Sequence, residues 1–193
     1  RPEALQWADD AATRLDLPTD WARRQIGQAR RIPLIEQLVL PAPTPAAKNW
    51  AAYRSRFIEP KRIDAGVAFW QRHQATLVRA EQSYGVPAQI LVGILGVETL
   101  YGQHMGNFRI LDALATLAFD FPQAHPRARE RQTFFKGELE HFLRLAQRSG
   151  NDVQSYRGSY AGAMGLPQFM PSSWSHYAVD FDGDGRIDLF DSP

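Results

Sequence analysis

Along most of the chain, apolar residues return every three or four positions, the period of an amphipathic helix, and no stretch alternates long enough to predict a strand. The segments PEALQWADDAATRLDL and DWARRQIGQARRI predict two short helices parted by Pro18 and Thr19, with Asp20 placed to cap the second. LPAPTPAAKNW, interrupted by Pro41, Pro43 and Pro45, predicts an extended crossing between a small N-terminal segment and the main domain. RIDAGVAFWQRHQATLVRAEQSYG then predicts one core helix, with Ile63, Val67, Trp70, Leu77 and Tyr84 facing inward and a stop at Gly85. RQTFFKGELEHFLRLAQRSGN sets Phe135, Leu139, Phe142 and Ala146 on one face and ends at Gly150. There is no internal repeat.

QILVGILGVETLYG departs from this pattern, because it is almost continuously apolar and carries one acid, Glu98, near its end, with Pro87 suited to the first turn of its helix. On a helix, Leu91, Ile94, Leu95, Glu98 and Tyr101 share a stripe, since positions three and four apart are neighbours. Glu98 is therefore expected to point where the apolar residues point. A buried carboxyl group favours its protonated form, which suits a proton donor. The plainer alternative is a glutamate at the surface or paired with an arginine. Gly93, Gly96 and Gly102 weaken the helix by about 1 kcal/mol each relative to alanine, and either close packing or ligand approach accounts for them.

Composition narrows the function classes. A chain of 193 residues, 44% hydrophobic and 22% charged, with a net charge of +1, is long enough for a sizeable core and carries no basic stripe for nucleic acid. Nearly all the positive charge is arginine, the lysines being Lys48, Lys61 and Lys136. The absence of cysteine removes disulfides, thiolate nucleophiles and Cys-ligated metals. No apolar window reaches a membrane span and there is no signal peptide, so the chain, which starts at Arg1, reads as a processed or trimmed soluble product.

Two further segments carry chemistry. RGSYAGAMGLPQFMPSSW is too broken for a long helix and too apolar for a solvated loop. It predicts a tight backbone feature beside a core or a groove, with Ser159 and Gln168 offering hydrogen bonds and Phe169, Met170 and Trp174 a stacking floor; Pro171 followed by SSWSHY reads as a helix start. In DFDGDGRIDLFD, Asp180, Asp182 and Asp184 occupy positions 1, 3 and 5 of an EF-hand-like loop. Gly185 stands at 6, the Arg186 carbonyl at 7, Asp188 at 9, and Asp191 in place of the usual glutamate at 12. Three carboxylates within five residues repel one another without a cation, and oxygen ligands select Ca²⁺.

Taken together and in this order, GVPAQILVGILGVETLYG, GSYAGAMGLPQFMPSSW and VDFDGDGRIDLFD resemble the bacterial lytic transglycosylases of the membrane-bound type B class and their soluble relatives. The likeness spans residues 50–193 and is looser before Trp50. It implies a mostly α, lysozyme-like (goose-type) catalytic domain at 50–193, after an N-terminal helical segment and Pro-rich crossing at 1–49, with the loop at 180–191. Relatives continue beyond that loop, so the domain is expected to be incomplete at Pro193. The implied activity is cleavage of the β-1,4 MurNAc–GlcNAc bond of peptidoglycan with formation of a 1,6-anhydromuramoyl end. By the same resemblance Glu98 is the sole general acid/base, and Ser159, Met164, Gln168, Phe169 and Tyr53 line the glycan cleft. Arg129 and Arg131 lie near the peptide stem, and Asp180, Asp182, Asp184, Arg186 and Asp191 hold a structural Ca²⁺. No organic cofactor is expected. The implied partners are glycan strands and proteins of cell-wall synthesis or remodelling, in the periplasm, with the membrane reached only through an upstream lipid anchor. A hydrolytic muramidase and a non-catalytic calcium-dependent peptidoglycan-binding module are the competing expectations.

Overall fold

The computed structural model describes residues 2–42 and 49–192, and its regular structure is almost wholly helical. In chain order the elements are α1 (Pro2–Leu15), α2 (Thr19–Gly27), α3 (Pro33–Leu38), α4 (Trp50–Ser55), α5 (Pro60–Arg72), α6 (Gln74–Tyr84), α7 (Ala88–Thr99), β1 (Phe108–Arg109), α8 (Ile110–Phe119), α9 (Ala128–Ser149), β2 (Arg157–Gly158) and α10 (Pro171–Tyr177). They fall into two compact units that the chain enters by turns. Arg1–Pro41, Gly106–Met164 and Phe169–Ile187 form one, and Ala42–Met105, Gly165–Gln168 and Asp188–Pro193 form the other. Pro43 and Pro45 of the proline-rich crossing lie outside the described residues.

The first unit is built around α8, whose residues from Ile110 to Ala118 are all buried, as expected of a helix with apolar residues on every side. The expected face of α9 packs on it: Phe135, Leu139, Phe142 and Ala146 are buried, and the helix ends at Gly150 in the left-handed conformation. Helix α1 contributes Ala4, Ala8, Ala11 and Ala12, whose small side chains let α2 approach closely. Pro18, rather than Asp20, holds the N-cap position of α2; Asp20 sits in the first turn, where its charge still favours the helix N-terminus. The two-residue strands β1 and β2 pair antiparallel, too short for any alternation to announce them. Gly158 is required there, because a Cβ would fall 2.1 Å from the Ala163 carbonyl oxygen.

Two buried carboxylates tie this unit together. Asp112 accepts from Arg109 Nε and Nη2 at 2.8 and 2.6 Å and from the Arg30 N–H at 2.8 Å, fixing the loop after α2 to the start of α8. Glu138 accepts from the Ser172 N–H at 2.9 Å and its hydroxyl at 2.6 Å, pinning the first turn of α10 to α9.

The second unit packs Phe69, Leu77, Ala88 and Val92, with Trp70, Leu91, Leu95 and Tyr101 partly buried around them. The single core helix expected before Gly85 is instead two, α5 and α6, broken at His73 (φ −111°, ψ 21°), whose ring lies 4.5 Å from that of Phe69. Ile63, Val67 and Tyr84 face outward at 53, 52 and 61% exposure, although Leu77 and the left-handed Gly85 cap are as expected. Among the described residues no helix is long and apolar enough to cross a membrane.

Candidate functional site

Helix α7 presents a different face to the core from the one its sequence suggested. The buried line is Ala88, Val92, Gly96 and Thr99, while Ile94 and Glu98 are exposed. The expectation of a desolvated Glu98 is thereby corrected. Nearly every position of α7 is apolar, so periodicity offers no contrast by which to choose the inward face. Among the described residues no hydrogen bond or ion pair engages the Glu98 carboxylate, which leaves it free for a ligand.

The backbone beyond Glu98 is unusual. Leu100, Tyr101 and Gly102 all have positive φ (51°, 57° and 88°), a conformation that costs a side-chain-bearing residue about 1–2 kcal/mol. Several contacts of the same unit hold the turn. Thr99 Oγ1, buried, donates to the Leu166 carbonyl at 2.9 Å and accepts from the Gly102 N–H at 3.0 Å. The Arg62 guanidinium donates to the Gly96 carbonyl, one of the helix-end acceptors left without an intrahelical partner. The Tyr101 ring lies 5.2 Å from that of Phe69, and burial pushes its phenol up against the opposing effect of the Arg62 charge.

Gly66 and Gly96 make room for that phenol. A Cβ on either would fall 2.5 or 2.4 Å from the Tyr101 hydroxyl oxygen, whereas one on Gly93 would meet nothing within 4 Å. Gly96→Ala should therefore destabilise the protein by about 1–3 kcal/mol through overpacking. Gly93→Ala should be neutral or raise stability by up to about 1 kcal/mol. Thermal melts of the two variants check this, and equal melting temperatures would contradict it.

Gln168 lies in the same unit in a left-handed conformation (φ 53°), and its Nε2 donates to the Met105 and Gly165 carbonyls at 3.1 and 3.0 Å. Both amide protons are thus spent, and Gln168 offers a ligand only its Oε1 acceptor. Tyr53, on α4, is 52% exposed, its ring stacked on that of Trp50 (5.8 Å) and tilted against that of Phe57 (4.9 Å).

The remaining candidates belong to the first unit. Ser159 Oγ accepts from the Ala161 and Ala163 N–H groups at 3.2 and 3.0 Å, so its hydroxyl proton is the group left to offer. Phe169 is half-buried, and its backbone bridges that of Met164. Met164 itself is 0% exposed, so in this conformation its side chain fills the core instead of meeting a ligand, contrary to the expectation for it. On the first turns of α9, Arg129 is exposed beside a shallow hollow lined by Arg127, Glu130 and Thr133. The Arg131 guanidinium stacks 5.4 and 5.3 Å from the rings of Phe134 and Phe135.

Three other acids have structural partners. Asp112 is paired with Arg109, Asp120 lies 3.7 Å from Arg31, and Asp152 accepts from the Gln154 N–H.

In the acidic loop, one carboxylate oxygen each from Asp180, Asp182 and Asp184 lies within 4.8 Å of the others, all three residues being exposed. Gly183 and Gly185 turn the backbone at φ 77° and 86°. Asp180 accepts from the Gly183 and Gly185 N–H groups at 2.7 and 2.8 Å. The donor set is all oxygen, which fits a hard divalent cation. In the second unit, Asp188 Oδ1 accepts from the Phe190 and Asp191 N–H groups at 2.8 and 3.3 Å.

Sequence reasoning missed Thr99 and Arg62. Thr99 stands beside Glu98 in the motif, yet nothing in the pattern announces that its hydroxyl is buried.

The transglycosylase SLT domain family matches residues 2–193. The chain is 43% identical over 198 residues to the membrane-bound lytic murein transglycosylase B of Escherichia coli (strain K12), covering 98% of this chain and 53% of that one. Its fold matches that of the soluble lytic transglycosylase SltB1 from Pseudomonas aeruginosa with a TM-score of 0.90 at 44% identity, over 100% of this chain and 62% of that one. The Escherichia coli lytic transglycosylase Slt35 in complex with calcium matches with a TM-score of 0.86 at 42% identity, over 98% and 58%. The chain thus spans about half the length of the curated relative it matches.

Proposed function

The chain belongs to the transglycosylase SLT domain family, and from that premise we propose that it cleaves the β-1,4 MurNAc–GlcNAc bond of peptidoglycan as a lytic transglycosylase of lysozyme-like fold, with Glu98 as its general acid and base. The observation that carries this is the state of Glu98. It is an exposed carboxylate without a partner among the described residues, at the end of an apolar helix whose following turn is locked in a costly conformation.

A protonated Glu98 gives its proton to the glycosidic oxygen as the C1–O bond breaks, releasing the GlcNAc hydroxyl. The muramoyl 2-acetamido oxygen stabilises the electron-poor C1. Glu98, now a carboxylate, takes the proton of the C6 hydroxyl while that oxygen bonds to C1, closing the 1,6-anhydro ring and restoring the acid. A second carboxylate to activate water, which hydrolytic glycosidases need, has no part in this scheme. This agrees with the structural partners held by Asp112, Asp120 and Asp152. Tyr53, Gln168, Ser159 and Phe169 supply the stacking faces and the single acceptor and donor described above, and Arg129 and Arg131 supply cations for the stem-peptide carboxylates. The site of action is the periplasmic cell wall.

The test is mass spectrometry of the soluble products released from purified peptidoglycan. Anhydromuropeptides support the reading, reducing ends point to a hydrolase, and binding without turnover points to a non-catalytic module.

Asp180, Asp182, Asp184 and the Arg186 carbonyl are the residues that would hold Ca²⁺ in an EF-hand-like loop. There the ion's role is to neutralise mutual repulsion and stiffen the segment after α10. Calcium at about a hundred times its dissociation constant should raise the melting temperature of chelator-treated protein by roughly 5–10 °C. Asp182→Asn combined with Asp184→Asn should abolish that response. An unchanged melting curve on adding calcium would remove the ion from this account.

A further inference from the structure

We propose that Thr99 is the positioning residue of Glu98, its hydroxyl joining the end of the acid's helix to the segment that carries Gln168. The inference rests on the reading of Glu98 as the acid/base. The two residues are adjacent in α7, and they point differently: Glu98 is exposed while Thr99 is 1% exposed. A threonine inside a helix ordinarily turns its hydroxyl back to the carbonyl four residues earlier, but here the Leu95 oxygen is the distant alternative at 3.5 Å. The proton goes instead to the Leu166 carbonyl at 2.9 Å, and a lone pair receives the Gly102 N–H at 3.0 Å.

Both ends of this joint matter. On one side it closes the left-handed run Leu100–Tyr101–Gly102, the geometry that stops α7 one residue after Glu98. On the other, Leu166 is fixed by its own N–H to the Leu189 carbonyl at 2.7 Å, and the neighbouring Gly165 carbonyl holds Gln168 Nε2. Space around the joint is tight, since a Cβ on Gly102 would fall 2.9 Å from Leu166 Cδ2. One buried oxygen atom therefore sets where the last turn of α7, and with it the Glu98 carboxylate, lies relative to the Gln168 acceptor. Its loss would displace the acid without removing any group that meets the glycan.

The test compares Thr99→Val, which keeps the shape and loses the hydroxyl, with Thr99→Ser, which keeps the hydroxyl, and Glu98→Gln, all in the full-length protein. Anhydromuropeptide release from soluble glycan strands is followed at least 15 °C below each variant's melting midpoint. Thr99→Val is expected to lower kcat about 30- to 100-fold with KM within about threefold, because small misplacements of a catalytic group cost rate rather than affinity. Thr99→Ser is expected to stay within about threefold of the parent in both. A folded valine variant with parental kcat, or a folded serine variant as slow as the valine one, overturns the proposal. Should valine not fold, Thr99→Ala takes its place with the same expected and overturning outcomes. Failure of both to fold assigns the hydroxyl to stability and also overturns it. An active Glu98→Gln breaks the underlying reading of the acid, whereas an inactive Glu98→Gln beside a fully active Thr99→Val breaks this inference alone.

Discussion

Replacing Glu98 with glutamine is expected to lower anhydromuropeptide release by about a thousandfold or more while moving the melting temperature by no more than roughly 2 °C. The loss is large because one carboxyl group serves both halves of the proposed reaction, first donating a proton and then removing one, and an amide does neither. The fold is spared because the side chain is exposed and has no partner among the described residues, so the amide is left with no broken contact. Glu98→Asp sharpens the case. It keeps the acid but draws it back by one methylene, and a loss of about a hundredfold is expected from misplacement alone. Product analysis and thermal melts of the two variants decide the matter. Parental turnover in Glu98→Gln would place the chemistry on another group, and a collapse of its melting temperature would show that the carboxylate has a structural role.

Removal of Asp112 should have the largest effect on stability. Asp112→Ala is expected to cost about 3–5 kcal/mol, a fall of roughly 6–20 °C in melting temperature. The carboxylate is 6% exposed, and three N–H groups converge on it, two from Arg109 and one from the Arg30 backbone. Truncation leaves the partly buried Arg109 cation without its counter-ion, and the Arg30 N–H without an acceptor. Asp112→Asn should cost less, since it keeps an acceptor for Arg30. Pairing Asp112→Ala with Arg109→Leu should recover part of the loss, because the uncompensated charge is then gone. Melting temperatures of the three variants test this. A parental melting temperature for Asp112→Ala, or a double variant less stable than the alanine one, would contradict it.

Asp112 illustrates how differently the two kinds of acid in this chain read from sequence. The spacing on α7 points to Glu98, rather than Asp112, as the buried acid. Their exposures are the reverse. In α8 the apolar residues surround the helix completely, so an acid there is carried into the core and requires a partner, which the neighbouring Arg109 supplies. In α7 a similar excess of apolar residues exposes Ile90, Ile94 and Val97 at 50, 49 and 48%, and Glu98 lies among residues that face outward.

The sequence by itself determined the helices whose apolar spacing had a polar background to stand against, such as the Phe135–Ala146 face of α9, and the stops at Gly85 and Gly150, where only a residue without a Cβ is comfortable. It also pointed to the short motifs on which the proposed chemistry rests, because the glutamate in GVETLYG and the spaced aspartates of DFDGDG are chemically legible without a fold. Tertiary structure decided the rest. It broke the expected helix at His73, where no proline or glycine marks the place, chose the inward face of a nearly all-apolar helix, buried Met164, and spent the amide protons of Gln168 on backbone carbonyls. It also placed the Thr99 hydroxyl between Gly102 and Leu166. Each of these outcomes depends on partners far away in the chain or on the direction of a single bond. Local periodicity reports how often apolar residues recur, and it carries no information about which neighbour will meet them.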